Sequence, residues 1–433
     1  MAGAGTDVRV TRGEDGTIRV AAGPVLGHIE VCDDVVAAGP DFTRSVLDVA
    51  GAVLVWPVLG EPGLPVAEIH DAGRAQQWLW AVYGERVAAA VHDAAAGEPA
   101  GAHVMAETSA LAGAAARLGY GHWAARWWPA SYPDGIPVLE PDVLGLEFAA
   151  LTHRCQQLFD DNGDQPDGCV TELIEEHRSA LAPLLQWWRA TPQLAYRARH
   201  LDSVLRLIDD AADCAGLDGT ALRRLRSALE QGPDHGRTVT PAGPAALFAR
   251  QVGYALAAGD PLVAGGRVIA RGSGTNDWRR YPPGFIDAAE HAVSWTARAL
   301  GARRQIEVEV VAHVAAPTTG APLAAEVRVN GSRPLRVPLG RRDDVWTGRA
   351  DVDLTPDPSA ATSAPPRIEV GVLLPGFDPG AGPEARADRD AIRALARQRL
   401  AGAAQPVADD VYDGVAGPFL AETLAATATS EDY

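Results

Sequence analysis

An α+β, multidomain fold is predicted by three features of this 433-residue chain: period-two alternation at its start, a long middle without strand patterning, and a second run of short alternating segments after residue 305. These divide it into a mixed α/β region over 1–100, a helical bundle over 101–260, a loop-and-helix connector over 261–304, a small antiparallel β-sandwich over 305–376, and a short helix with a flexible acidic tail over 377–433.

The opening reads as a hairpin, because Val8 and Val10 alternate with polar residues, GEDG turns the chain, and Ile18 and Val20 resume the alternation. The apolar run 52–59 reads as a buried strand that Pro57 pushes toward a sheet edge. Trp78, Leu79, Val82 and Val87 then recur at helical spacing within 66–91, and GEPAG at 97–101 marks a break. Alanine-rich stretches near 104–119, 142–159, 170–190, 194–213, 218–230 and 244–258, parted by Pro, Gly and Asp loops, predict the bundle. A strand is expected over 263–270 and a helix over 284–300, ended by Gly301. From Gln305 the period turns to two: Ile306, Val308 and Val310, then Leu323, Ala325, Val327 and Val329 before an Asn330-Gly331 turn, then three further short segments up to 374. A short helix near 387–401 and an exposed tail complete the reading.

All 38 basic side chains are arginines. The absence of lysine excludes the usual forms of the Walker A loop, the protein kinase site, Schiff-base chemistry and the Ser-Lys nucleophile pair. Asparagine is scarce too, at three residues, so a GC-rich bacterial genome accounts for both depletions. Protection from amine tagging is the sharper reading, since lysine is the residue that tagging systems modify. The net charge is −18, and residues 1–150 hold 19 acids against 8 arginines. Such a surface repels phosphate backbones and anionic membranes, so neither nucleic acid nor membrane is expected as a partner. Cys32, Cys155, Cys169 and Cys214 form no CxxC pair and predict reduced thiols. Without a leader pattern or a long apolar run, the expected location is the cytoplasm.

Candidate chemistry concentrates in RGSGTNDWRRYPPGFIDAAEHAVSW. Asp277, Asp287, Glu290 and His291 are the acid-base candidates if the chain is an enzyme. Arg271, Arg279 and Arg280 suit an anionic ligand or partner. Ser273 is not in a GxSxG elbow, and the single GSG lacks the rest of a dinucleotide fingerprint. Asp160, Asn162 and Asp164 stand at the first, third and fifth positions of a calcium loop, but Gln165 and Thr171 break the motif, so a solvated loop is the preferred reading. His153, Cys155, Cys169 and His177 have zinc-binding chemistry with the wrong spacing, and His153 and Cys155 point about 200° apart on a helix. Trp123, Trp127 and Trp187 read chiefly as core, with Trp127 beside Arg126 as a partner-binding candidate. In the tail, Phe419 and Leu420 stand among acids as docking candidates.

The residues therefore predict, without any cofactor, a non-catalytic adaptor, scaffold or regulatory subunit of a cytoplasmic multiprotein assembly. Its partners would be other protein subunits, with homo-oligomers allowed. The alternative is an enzyme of unrecognised type acting on a small polar substrate through the 277–291 cluster.

Overall fold

The computed structural model describes residues 5–22, 42–60, 63–97, 101–107, 109–159, 166–191, 196–232, 247–248, 267–313, 316, 323–352, 367–377, 386–405 and 417–431. Over these residues the chain is a mixed helix-and-sheet protein with three antiparallel sheets.

Alternating Val8, Val10, Ile18 and Val20 point into the core and produce the expected hairpin of β1 (Thr6–Arg12) and β2 (Ile18–Ala22). With β3 (Arg44–Val49), β4 (Ala52–Pro57), β5 (Val66–Ile69) and β6 (Ala102–Ala106) it forms a sheet ordered β3-β4-β5-β2-β1-β6. Strand β4 is internal, not an edge, because Pro57 stands at its last position and leaves the interior of the ladder intact. Residues 66–69, read as the start of a helix, pair as β5 instead. Asp71 then caps α1 (Ala72–Tyr83) by accepting from the Arg74 amide at 3.1 Å, and Gly84, at φ +89°, separates it from α2 (Glu85–Ala96). The sheet takes in β6 from beyond the 97–101 break, so residues 104–106 are strand rather than helix.

Among the described residues six helices, then eight strands, then two more helices follow. The central helices are α3 (Ala110–Trp127), α4 (Pro141–Arg154), α5 (Pro166–His177), α6 (Leu181–Ala190), α7 (Tyr196–Cys214) and α8 (Thr220–Gln231). The expected helix at 244–258 lies outside the described residues except for 247–248. Helix α3 packs on β3 and β4, so the N-terminal sheet and the helical middle share a core. Trp123 anchors this contact by donating from Nε1 to the Phe42 carbonyl at 2.6 Å.

The C-terminal half holds β7 (Arg267–Ser273), β8 (Val293–Leu300), β9 (Arg303–Val311), β10 (Ala324–Val329), β11 (Leu335–Pro338), β12 (Gly340–Arg342), β13 (Val345–Asp351) and β14 (Ile368–Leu373). They form a five-stranded sheet, β12-β13-β9-β8-β7, and a three-stranded sheet, β11-β10-β14, which meet where β11 faces β13 and β14 faces β8. The helix expected over 284–300 is corrected: its second half is β8. Val293, Trp295 and Ala297 face the core while Ser294, Thr296 and Arg298 face outward, and pairing with β7 and β9 overrides the helix-like spacing of Ala and Leu. Gly301, read as a helix cap, makes the β8–β9 turn at φ +64°, a left-handed demand common to both structures.

Helix α9 (Arg386–Ala404) matches the expected short helix, but the tail does not match. Residues 420–431 form α10 (Leu420–Glu431), and every residue from 417 to 427 is buried. A flexible exposed tail is thus replaced by a core helix. Phe419, Leu420, Ala421, Leu424, Ala425 and Ala426 are buried together with Glu422, Thr423 and Thr427, so burial runs all round the helix, the pattern of an element enclosed on every side.

Two glycines in helix interiors give opposite expectations. A Cβ on Gly145 would lie 1.9 Å from Cδ2 of His177, whose ring is held by Asp142 at 3.1 Å. Gly145→Ala should therefore lower stability by roughly 1–3 kcal/mol despite the better helix former. A Cβ on Gly113 meets nothing within 4 Å. Gly113→Ala should raise stability by roughly 0.5–1 kcal/mol, both changes being read from urea midpoints.

Candidate functional site

The segment 271–291 leaves β7, touches β14, the edge strand of the three-stranded sheet, through Thr275 and Gly371, and returns as β8. Its turn is tied by Asn276, which is fully buried: Nδ2 donates to the carbonyls of Asp287 (2.9 Å) and Ala289 (2.6 Å), and Oδ1 accepts from the Tyr281 hydroxyl. Asp277 starts a single helical turn over Trp278–Arg280 and accepts from Arg279 through Nε at 2.9 Å and Nη2 at 2.8 Å. Burial opposes its charge, but the Arg279 hydrogen bonds outweigh that and hold the carboxyl below the usual range. Asp287 is 1% exposed, its oxygens taken by the amides of Ala289 (2.8 Å) and Tyr132 (3.0 Å). Burial there prevails over those bonds and raises its carboxyl.

Glu290 points away, into helix α9. Arg389, whose side chain is wholly buried, grips it through Nε at 3.1 Å and Nη2 at 2.9 Å; Arg393 stands 3.5 Å and Arg386 3.8 Å away. Arginines 386, 389, 393 and 397 recur at helical spacing and so share one face of α9. Arg393 also donates to the Ala288 carbonyl at 3.0 Å and lies over the Trp278 ring, while Arg397 reaches Asp134 at 3.2 Å. His291 is exposed. The three carboxylates are thus each committed elsewhere, Asp277 to Arg279, Asp287 to backbone amides and Glu290 to α9.

A second cluster lies inside the helical region and was missed by sequence reading. Glu147 of α4 accepts from the amide of Leu420 at 2.7 Å and Ala421 at 3.4 Å, at the first turn of α10. Arg117 of α3 stands 3.5 Å from Glu147 and donates to the carbonyls of Gly417 (3.4 Å) and Pro418 (3.0 Å). Arg399 of α9 holds Glu422 through Nε at 2.6 Å and Nη2 at 2.7 Å, and its Nη2 reaches the Gly417 carbonyl at 3.1 Å. Aromatic rings enclose these charges. Arg117 lies over Phe419 at 4.8 Å, Arg399 over Tyr120 at 4.5 Å, and the two rings stack at 6.2 Å. Burial pushes the Glu147 carboxyl up to about 7 and, with Arg117 adding to it, His200 of α7 down to about 3. The sequence did carry a signal: Glu147 and Arg117 are lone charges in otherwise apolar runs, VLGLEFAAL and GAAARLGYG.

The remaining candidates are placed as follows. Arg271 is exposed on β7, and Arg280 pairs with Glu326 at 3.5 Å. Trp127 is buried against Phe42, whose ring meets Trp278 edge-on at 5.3 Å, so these aromatics join the N-terminal sheet to the 271–291 segment. Phe419 and Leu420 face the interior of this same chain, with 0% and 1% exposure, because the clamp draws them in. Asp160, Asn162 and Asp164 lie outside the described residues. Among the described residues no group of three or more His, Cys, Asp or Glu is placed to hold a metal ion: His153 contacts Gln156, Cys155 is buried, Cys169 is exposed and His177 bonds Asp142. No described helix is long and apolar enough to cross a membrane. Comparison of the chain with protein-family models, curated proteins and solved structures finds no match.

Removing Arg389 leaves Glu290 with only its longer contacts, so Arg389→Ala should cost about 3 kcal/mol in urea unfolding. The inner cluster predicts two opposite pH dependences. Glu147 binds a proton more tightly when folded, so its contribution is complete below its ordinary 4.5 and is lost as pH rises to about 7. His200 binds one less tightly when folded, so its contribution is complete above its ordinary 6.5 and is lost as pH falls toward about 3. Relative to the parent, Glu147→Gln should therefore gain stability between pH 5 and pH 8, and His200→Gln should lose it over the same interval.

Proposed function

We propose that this chain is a non-catalytic adaptor, scaffold or regulatory subunit of a cytoplasmic multiprotein assembly. One observation supports the reading above others: Asp277, Asp287 and Glu290, the acids best placed in sequence for catalysis, are used to join strands and helices. A general acid or base needs a proton-accepting atom directed at a substrate. Here the carboxylate oxygens are directed at Arg279, Arg389 and backbone amides, and His291 stands apart from them on the surface.

In this reading the three-stranded and five-stranded sheets act as the two layers of a small sandwich, a scaffold that suits binding modules. Partners are protein subunits, and the chain's acidity argues against nucleic acid and anionic membranes. With Phe419, Leu420 and Trp127 inside the fold, contact with a partner falls to the arginine-bearing surface of the β region, where Arg271 is exposed. Homo-oligomers remain compatible with this arrangement.

Affinity capture with the tagged chain from its host, followed by mass spectrometry, should recover the same stoichiometric subunits at low and moderate salt. A purified monomer that recovers no partner and turns over metabolites, losing that activity in Asp277→Asn, would overturn the proposal in favour of an enzyme.

A further inference from the structure

Strand β7 forms one margin of the five-stranded sheet. Its inner side pairs with β8 from Arg267, opposite Ala299, to Ser273, opposite Ser294, and among the described residues no strand pairs its outer side. Such an edge presents backbone N–H and C=O groups to any extended chain that approaches. Its side chains are selective. The sequence RVIARGS carries two arginines and no acid, and Val268 is 46% exposed between them. A register shift between Val268 and Ala270 sets Arg267 opposite Ala299 and Arg271 opposite Thr296, which belong to opposite faces of β8. One guanidinium therefore flanks the open edge on each face. Arg303, in the neighbouring β8–β9 hairpin, adds a third.

Among the described residues none of these three arginines has an ion-pair partner, whereas helix-surface arginines such as Arg206, Arg223 and Arg226 are matched by Asp202, Asp218 and Asp209. Residues 267–377 hold 14 arginines and 12 acids in a chain of net charge −18, so this region stands out electrostatically from an acidic molecule. A second copy is a poor occupant, since it would bring the same arginines to the seam with no carboxylate on either β7.

We propose that β7 is the docking edge for an extended acidic segment of a partner protein, which adds as a sixth strand to the five-stranded sheet. The inference rests on the adaptor reading and names the partner's chemistry. Backbone hydrogen bonds supply the pairing, and carboxylates on both faces of the incoming strand meet Arg267 and Arg271.

The test is fluorescence anisotropy of the full chain with a labelled peptide that carries carboxylates on both faces when extended, Val-Asp-Glu-Val-Val-Glu-Asp-Val, and with the same peptide carrying a central proline. Saturable binding of the first is expected, weakened roughly tenfold or more by the proline, which removes a backbone donor. The double variant Arg267→Glu, Arg271→Glu should weaken it by a similar factor, and Arg223→Glu, on the distant helix α8, should leave it unchanged. Equal binding of both peptides, no binding of the first, or an unaffected double variant would overturn the proposal. In host capture, a double variant that retains the parent's partners at full yield overturns the edge inference and leaves the adaptor reading standing. A parent chain that binds the peptide yet recovers no partner overturns the adaptor reading alone.

Discussion

Four charges withdrawn from water, Arg117, Glu147, Arg399 and Glu422, fix the position of α10 against α4 and α9, and α4 is the helix on which α3, α5 and α7 also pack. With both carboxylates ionised they sum to zero, and their oxygens and guanidinium groups are turned on one another or on the backbone of residues 417–421. Burying such a set brings little net stability over apolar packing. What it supplies is position: the first turn of α10 has free amides that need acceptors, and Glu147 and Glu422 provide them at one place along the helix. An apolar helix alone could slide or rotate within its groove, whereas one whose first turn is bonded to α4 and α9, and whose lead-in at 417–418 is bonded to α3, cannot.

Helix α9 links this clamp to the β region. Its first half carries Arg386, Arg389 and Arg393 to Glu290, beside β8, and its second half carries Arg399 to Glu422. Arginine suits both ends for a reason lysine does not share. A planar fork can hold a carboxylate through two nitrogens and still donate to a carbonyl, as Arg399 does with Glu422 and Gly417, and it can lie flat on a ring, as it does on Tyr120. Whatever depleted lysine from the chain, its buried ion pairs are of a kind that only guanidinium groups make.

Much of the fold was legible because periodicity reports burial. The opening hairpin, the helices between 141 and 231, and the strands after 305 follow directly from which residues alternate and which recur every third or fourth position. Two misreadings share a cause in tertiary context. Strand β8 has Ala and Leu at helix-like spacing, and only its neighbours β7 and β9 make it a strand. Residues 417–431 look like a tail because the surrounding sequence is acidic and turn-rich; the groove that receives them is formed by α9 together with α3 and α4, which lie far away in sequence. The candidate catalytic set was partly legible. Asp277, Asp287 and Glu290 do lie in one segment, and Arg279 engages Asp277 from within it, but Arg389 and Arg393 on Glu290 and the Tyr132 amide on Asp287 come from elsewhere, so spacing could not show that those two were already engaged.

Inside the fold the charged residues serve cohesion, as Glu147, Glu290, Arg389 and Arg399 do. The central claim is that α10 is a structural core element held by Glu147, not a segment that opens in the resting protein. Native-state hydrogen exchange of the Leu420 and Ala421 amides tests this most directly. The account predicts that both exchange only through global unfolding, with a urea dependence equal to that of unfolding of the whole chain. Fast exchange insensitive to urea, while the core amides of α3 and α4 remain protected, would contradict it.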